Sequence, residues 1–207
     1  MPLEDILKLS TLPLPAERAC DEWDDDNCVN YSADGKKVLD AENFPEEVTL
    51  REGCELICDE AFAFQDYMAD TPPRGKEIPL EERNSFLEKI HLPASLTHIG
   101  EEAFRECGMM TSIKLPGNLL YIGEGAFCDC WQLEKLRIPS SVRYIGPRAF
   151  QGCINLYQIR FGKNIEFIGE DAFDDCESLE TIFIPRGMLD SFLSLLPKGL
   201  HEIIEEL

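Results

Sequence analysis

The sequence predicts a repeat solenoid, and three observations support this prediction. The stretch "YIGEGAFCDC" at 121–130 follows "HIGEEAFREC" by 23 residues, and "YIGPRAFQGC" and "FIGEDAFDDC" come after it at the same interval. Cutting before His91, Lys114, Arg137 and Arg160 gives four units of 23 residues without a gap. Apolar residues recur at constant offsets in each unit, and such units bury their apolar faces only by stacking on one another.

The closing stretch of each unit is typical of a strand. In "LEKLRIP" at 133–139, Leu133, Leu136 and Ile138 fall on the inward side. Lys135 and Arg137 alternate with them on the outward side, which is the period-two pattern of a half-buried strand. The proline that follows has no amide donor and ends the pairing.

The other half of each unit predicts a tight corner. A short extended segment is expected over "RYIG" at 143–146, followed by a helical turn at "PRAF" whose phenylalanine fills the coil interior. A corner glycine leaves room where a side chain would not fit. These glycines stand at 100, 123, 146 and 169.

The composition excludes several classes of protein. The chain has 207 residues, 44% of them hydrophobic, and a net charge of −21 from 40 acidic and 19 basic residues. Such a charge disfavours nonspecific binding to nucleic acid or to an anionic membrane. No apolar run is long enough for a membrane span, and the first twenty residues lack the pattern of a secretory leader. We therefore expect a cytoplasmic protein with no membrane insertion, whose nine cysteines are reduced thiols.

The repeated motif also resembles a known family. The units at 91–185 are similar to the BspA-like class of bacterial leucine-rich repeats, which run as I-G-x-x-A-F-x-x-C-x-x-L-x-x-I-x-[IL]-P. The resemblance implies a leucine-rich repeat solenoid, mostly β or repeat α/β, with a parallel sheet on one face and short helical turns at the corners. It also implies a repeat module for surface interaction or adhesion.

Four segments follow from where the repeat begins and ends. The corner motif also fits "TLREGCELICDEAF" at 49–62, but the closing strand then arrives late, which indicates a charged, proline-rich insertion. An open stack needs a cap at each end, and "VNYSADGKKVLDA" signals a hairpin that turns at Asp34-Gly35. We predict an acidic N-terminal extension at 1–28, a hairpin cap at 29–48, the solenoid at 49–185 with its insertion at about 63–82, and a helical C-terminal cap at 186–207.

Basic residues fall on the outward side of the long strands, although the protein is acidic. We call this set the basic stripe. It comprises Lys89, His91, Lys114, Lys135, Arg137 and Arg160. Our hypothesis is that the stripe binds an acidic protein segment or an anionic glycan; the alternative is a solvated strand face.

Two further columns repeat once per unit. The aromatic column comprises His98, Tyr121, Tyr144 and Phe167, which either bind sugar rings or protein side chains or shield the neighbouring coil. The cysteine column comprises Cys107, Cys130, Cys153 and Cys176. It contains no histidine and no C-x-x-C pair, and this pattern favours buried structural thiols over a metal site.

The sequence favours a noncatalytic function. It contains none of the common nucleophile, phosphate-loop or dinucleotide motifs, and no cofactor or metal is expected. An enzyme would need the insertion's carboxylates, which are Asp66, Asp70, Glu77, Glu81 and Glu82. We predict a protein-interaction or scaffolding module that binds its partner through the repeat surface. The alternative, which the family resemblance implies, is an extracellular adhesin or host-interaction protein that is secreted or at the cell surface.

Overall fold

The chain winds into a solenoid whose coils are joined by parallel strands, as the repeat predicts. The computed structural model describes residues 3–7, 11–12, 15–18, 22–42, 44–63 and 87–207. The predicted insertion lies outside these residues except for position 63, and its five candidate carboxylates lie outside them as well.

The long strands that close the units form one face of the solenoid. They are β4 (Glu47–Thr49), β6 (Lys89–His91), β9 (Lys135–Arg137), β11 (Gln158–Arg160), β13 (Thr181–Ile184) and β14 (Ile204–Glu206). β4 pairs with β6 in a two-stranded sheet, and a separate four-stranded sheet has the order β9-β11-β13-β14. All these pairs are parallel.

The short strands form a second face. They are β1 (Glu22–Asp24), β2 (Val29–Tyr31), β3 (Lys37–Ala41), β5 (Leu56–Ile57), β7 (His98–Ile99), β8 (Tyr121–Ile122), β10 (Tyr144–Ile145) and β12 (Phe167–Ile168). Together they make an eight-stranded sheet in the order β1-β2-β3-β5-β7-β8-β10-β12. The first three strands pair antiparallel, and the rest pair parallel.

The interior is a continuous stack of the repeated apolar residues. The corner phenylalanines lie face to face with ring centroids 5.1 to 5.5 Å apart, in the order Phe62, Phe104, Phe127, Phe150, Phe173. The corner glycines allow neighbouring coils to approach closely. A Cβ atom on Gly123 would lie 2.6 Å from the backbone carbonyl carbon and oxygen of Gly100.

The corners differ from the sequence prediction in one respect. The segment at 147–150 is a hydrogen-bonded turn and not the helical turn that we predicted. Arg148 has a left-handed φ of 55°. Alternate amides of each corner donate hydrogen bonds to the next coil; the Phe127 amide, for example, donates to the Ala149 carbonyl at 2.8 Å. Because these amides bond between coils, they are not available for a helical turn.

The two ends are closed by different elements. At the N-terminal end, Gly35 has a φ of 69° in the turn between β2 and β3, and β1 adds a third strand to this hairpin. At the C-terminal end, helix α3 (Leu189–Leu195) buries Phe192 against Phe161, with ring centroids 5.2 Å apart. A 3-10 helix (Lys198–Ile203) leads into β14, so this end contains a strand as well as helices. The four-segment division stays a prediction.

The remaining described helices are short. They are α1 (Leu3–Ile6) and α2 (Pro15–Arg18), which lie in the predicted acidic extension. None of the helices in the described part of the chain is both long enough and apolar enough to cross a membrane.

Candidate interaction surface

Three cations of the basic stripe lie side by side on the outer face that the four-stranded sheet forms with the coil before it. Arg137 and Arg160 are register partners on β9 and β11. The bridge between Ser112 and Lys135 places Lys114 next to Arg137 in the preceding coil. All three side chains are exposed. Adjacent parallel strands lie about 4.8 Å apart, so the stripe presents one cation per coil at this spacing.

These cations line a groove with a volume of about 610 Å³. Lys163, three residues beyond Arg160, joins them at its wall, and we call this site the basic groove. Its lining also includes apolar residues, which are Ile113, Leu115, Ile138, Pro139, Phe161, Ile184, Pro185 and Leu207. The volume falls within the range of about 300–1,000 Å³ that is typical of ligand sites.

The four cations of the basic groove form no ion pair with any residue in the described part of the chain. Several cations elsewhere in the described part of the chain are paired within the protein, although Arg186 and Lys198 form no ion pair there either. The pairs are Lys36–Glu55, Lys37–Glu17, Arg51–Glu22, Arg105–Glu102, Arg143–Glu166 and Arg148–Glu124. The groove therefore brings together four cations that no carboxylate in the described part of the chain neutralises by an ion pair.

The other members of the basic stripe do not belong to this groove. Lys89 Nζ and His91 Nε2 lie 2.8 and 2.6 Å from the same oxygen, Oε1 of Glu47. These two contacts lower the pKa of the Glu47 carboxyl, the contact with Lys89 having the larger effect. Lys135 lies over the ring of Tyr157, with its Nζ 5.1 Å from the ring centroid.

The sheet itself explains why the stripe is divided. β6, which carries Lys89 and His91, pairs with β4 alone, whereas β9 begins a separate sheet. The strand pairing that underlies the stripe is therefore interrupted between β6 and β9. Residues 64–86, which include all but the first residue of the predicted insertion, lie in the chain between β5 and β6.

The aromatic column lies on the outer face of the eight-stranded sheet. Successive centroids along His98, Tyr121, Tyr144 and Phe167 are 5.7, 4.9 and 4.8 Å apart, with interplanar angles of 29°, 7° and 10°. Each ring thus covers the face of the next ring. Sugar rings bind to open aromatic faces, so this arrangement favours shielding of the coils along most of the column. His98 is buried, whereas Phe167 is 39% exposed.

The cysteine column consists of thiols that point into the core. Each Sγ donates to the carbonyl of a phenylalanine in the preceding coil, as when Cys130 bonds to Phe104 at 3.3 Å. Burial raises the pKa of Cys107 to about 12, because the thiolate would lose its solvation. The described residues include no cluster of three or more histidine, cysteine or acidic side chains that could hold a metal ion.

Two features of this surface were missed from the sequence. Lys163 stands where the preceding units have Gly117 and Ser140, and Gly162 replaces the proline found in the preceding units. A position-by-position comparison of the units reveals that both residues differ from their equivalents, and these two positions form part of the wall of the groove. Tyr157 beside Lys135 carries no comparable signal.

Comparison with known proteins supports the architecture. The profile of the BspA type leucine rich repeat region matches residues 83–191, just over half of the chain, with six copies. No curated protein matches the chain significantly. Two solved structures share the fold: the pneumococcal vaccine antigen PcpA and a leucine-rich repeat protein of T. pallidum.

Both structural relatives are distant in sequence. PcpA is 23% identical with a TM-score of 0.61; the match covers 75% of this chain and 35% of that chain. The T. pallidum protein is 20% identical with a TM-score of 0.53; the match covers 84% of this chain and 89% of that one. The chain thus spans about a third of the PcpA structure, and both likenesses concern the fold alone. On the repeat motif, the coil geometry and the profile match, the chain belongs to the BspA-type leucine-rich repeat family.

Proposed function

We propose that the protein is a noncatalytic interaction module that binds an acidic segment of a protein partner in the basic groove. Membership in a leucine-rich repeat family suggests a protein-interaction module, and such solenoids are typically noncatalytic. The single observation that supports this groove as the site is its set of four cations, none of which forms an ion pair with a residue in the described part of the chain.

Electrostatics favours an anionic ligand at this groove. Like charges about 5 Å apart repel by on the order of 1 kcal/mol per pair in water. A carboxylate between two such cations replaces this repulsion by attraction. Arg137 and Arg160 in addition offer planar guanidinium groups that bind carboxylates with paired hydrogen bonds.

The apolar part of the lining favours a peptide over an anionic glycan. Leu207 is 45% exposed. Together with Pro185 it lines the end of the groove that is farthest from Lys114 in the order of the coils. A peptide supplies aliphatic side chains for such a surface as well as carboxylates, whereas a sulfated or uronic glycan supplies mainly anions. We therefore expect a ligand with acidic and aliphatic residues in alternation.

The test compares two variants of equal charge. The groove variant combines Lys114→Glu, Arg137→Glu and Arg160→Glu; the control variant combines Lys36→Glu, Arg105→Glu and Lys198→Glu on other surfaces. Three reversals of two units each change the net charge from −21 to −27 in both. Circular dichroism first establishes that both variants fold like the wild type.

Binding is then measured by fluorescence anisotropy with a pool of short peptides that alternate acidic and aliphatic residues. We expect the wild type and the control variant to bind peptides and the groove variant to lose at least tenfold in affinity, about 1.4 kcal/mol. Equal binding by both variants would refute the groove as the site. Binding of a sulfated glycan in place of the peptides would refute the peptide class.

The cellular location is part of the proposal. We place the protein in the cytoplasm, and the thiol geometry of the cysteine column supports a reducing compartment. Digestion of intact cells with a protease tests this placement. Loss of the protein from intact cells would instead support a cell-surface adhesin or host-interaction protein.

A further inference from the structure

Two large apolar side chains lie exposed beside each other where the corners lead into the long strands. Trp131 is 44% exposed and Ile154 is 39% exposed. Each directly follows a member of the cysteine column, so they occupy equivalent positions of neighbouring coils. The Asn155 amide donates to the Trp131 carbonyl at 3.3 Å and joins the two coils at this point. We call Trp131 and Ile154 the tryptophan patch.

The preceding coil leaves room for the indole of Trp131. The Gln132 amide donates to the Gly108 carbonyl at 3.3 Å, so Gly108 is the equivalent residue of that coil. A Cβ atom on Gly108 would clash with Cε3 and Cζ3 of the indole. The side-chain amide of Gln132 contacts Sδ of Met109 at 3.4 Å. The indole thus packs on one coil while nearly half of its surface stays accessible, and a side chain that is positioned in advance costs a ligand less entropy on binding.

The stretches of chain around the patch carry carboxylates and no cations. From the corner to the long strand, the three coils concerned comprise residues 128–134, 151–157 and 174–180. The sequence of these stretches contains no lysine, arginine or histidine. Their acidic residues are all exposed or partly exposed, and they are Asp129, Glu134, Asp174, Asp175, Glu177 and Glu180. The patch therefore lies in a negative environment.

Two of these carboxylates border the patch directly. A Cβ atom on Gly152 would clash with Oδ1 of Asp129, so this carboxylate lies over the coil that carries Ile154. Glu177 is the equivalent of Ile154 in the next coil, because the Ser178 amide donates to the Ile154 carbonyl at 3.1 Å. The apolar surface thus has one acidic neighbour along the chain and another along the stack.

Cations close to the patch in the chain or in the stack contact other groups. Lys135, directly after Glu134, lies over the ring of Tyr157. Corner arginines pair with corner glutamates, Arg105 with Glu102 and Glu106, and Arg148 with Glu124. A ligand for the patch must therefore combine apolar contact with positive charge of its own.

We propose that the tryptophan patch binds a cationic segment of a protein partner. An arginine or lysine side chain of the segment lies over the accessible face of the Trp131 indole, because tryptophan attracts cations more strongly than the other aromatic side chains. The aliphatic part of this side chain covers Ile154, and neighbouring basic residues pair with Asp129 and Glu177. The patch precedes β9 and β11 in the chain, whereas the basic groove lies beyond them, so this inference does not rest on the function proposed above.

Tryptophan fluorescence reports on the patch, because the chain contains only two tryptophans. In the full chain with Trp23→Phe, Trp131 is the sole tryptophan. This protein is titrated with a short peptide that alternates arginine and leucine, and with a control peptide that alternates serine and leucine. We expect the arginine peptide alone to change the Trp131 emission, and to do so with saturation. Unchanged emission up to about 1 mM peptide, or the same response to both peptides, would overturn the proposal.

Two variants of equal charge separate the patch from the overall charge of the protein. The patch variant combines Asp129→Asn and Glu177→Gln; the control variant combines Glu52→Gln and Glu202→Gln on other surfaces. Removing two negative charges changes the net charge from −21 to −19 in both. Asparagine tolerates the left-handed φ of 60° at position 129.

Binding of the labelled arginine peptide to both variants is measured by fluorescence anisotropy. We expect the patch variant to bind about fivefold more weakly than the wild type, because two exposed ion pairs are lost. The control variant should change the affinity less than about twofold. Equal losses in the two variants would show that the peptide responds only to overall charge, and would overturn the site.

The aromatic contact and the identity of the occupant are tested separately. Trp131→Leu keeps an apolar side chain but removes the aromatic face, and we expect about fivefold weaker binding of the arginine peptide. Unchanged affinity in this variant would overturn the contact with the indole. Analytical ultracentrifugation of the wild type should show a monomer. A dimer that the groove variant abolishes would show that the patch binds the basic groove of a second copy, and would overturn the assignment to a partner protein.

Discussion

Replacing Gly123 by alanine tests whether close approach of the coils, and not backbone flexibility, explains the corner glycine. The added Cβ would lie 2.6 Å from the carbonyl carbon and oxygen of Gly100, and ordinary contacts begin at about 3.4 Å. The two coils would therefore have to separate by about 0.8 Å at this corner. The obstructing atoms belong to the backbone, so no side-chain rotation relieves the clash.

The separation weakens hydrogen bonds on both sides of the corner. The Gly123 amide donates to Ile99 at 2.9 Å, and the Glu102 amide donates to Glu124 at 2.8 Å. Overpacking in a rigid site costs about 1–3 kcal/mol, and each buried hydrogen bond that is lost costs about as much. We expect Gly123→Ala to lower the free energy of unfolding by about 3–5 kcal/mol, a large part of a typical total of about 5–15 kcal/mol.

Gly117 offers the matched control. A Cβ there would meet no atom within 4 Å, and no left-handed φ is required. Gly117→Ala should be neutral or stabilise the protein by about 0.4–1 kcal/mol, because alanine restricts the unfolded chain. Urea denaturation followed by circular dichroism and by tryptophan fluorescence measures both variants. Equal unfolding midpoints for the two variants would refute the close-approach explanation.

Three further outcomes follow from burial. Phe127→Ala should lower the free energy of unfolding by about 3–5 kcal/mol because the ring is fully buried. Tyr144→Ala should lower it by about 1–2 kcal/mol because that ring is only partly buried. Urea denaturation compares the two variants, and a larger loss for Tyr144→Ala would contradict the packing. Burial lowers the pKa of His98 below its usual 6.5, so the folded state binds protons less readily than the unfolded state. The free energy of unfolding should therefore be highest above pH 6.5 and should fall as the pH drops below it; urea denaturation over this range measures the change, and a His98→Phe variant with the same pH dependence would exclude this linkage. Burial raises the pKa of Cys130 well above its usual value, so this thiol should resist iodoacetamide until urea unfolds the coils, and rapid labelling in the native state would contradict its placement.

The sequence was sufficient to predict the solenoid because the repeated residues meet the same requirement in every coil. Each coil needs a small residue where backbones meet and a large ring in the middle, so Gly123 and Phe127 recur with their equivalents. Alternation in "LEKLRIP" also identified the outward position of Arg137, because a strand has only two sides. These predictions depend on local periodicity and are confirmed.

Features that depend on a single coil or on distant contacts could not be predicted in the same way. The repeat places Lys89 on the same stripe as Lys114, but the sheet is divided between their coils, and Glu47 lies close enough to pair with Lys89. His98 interacts with the backbone of Ile6, which is more than ninety residues away in the chain and carries no repeat signal. The roles assigned to the basic groove and to the aromatic column stay predictions.

The uniform register of the stacked rings has a consequence for how this protein can change in length. Removing or duplicating one unit of 23 residues, such as 114–136, joins equivalent positions and returns every column to alignment. The core chemistry is then unchanged, but the groove face becomes longer or shorter by about 4.8 Å, the spacing of adjacent strands. The number of units therefore sets, in steps of one strand spacing, the length of ligand that this face can span.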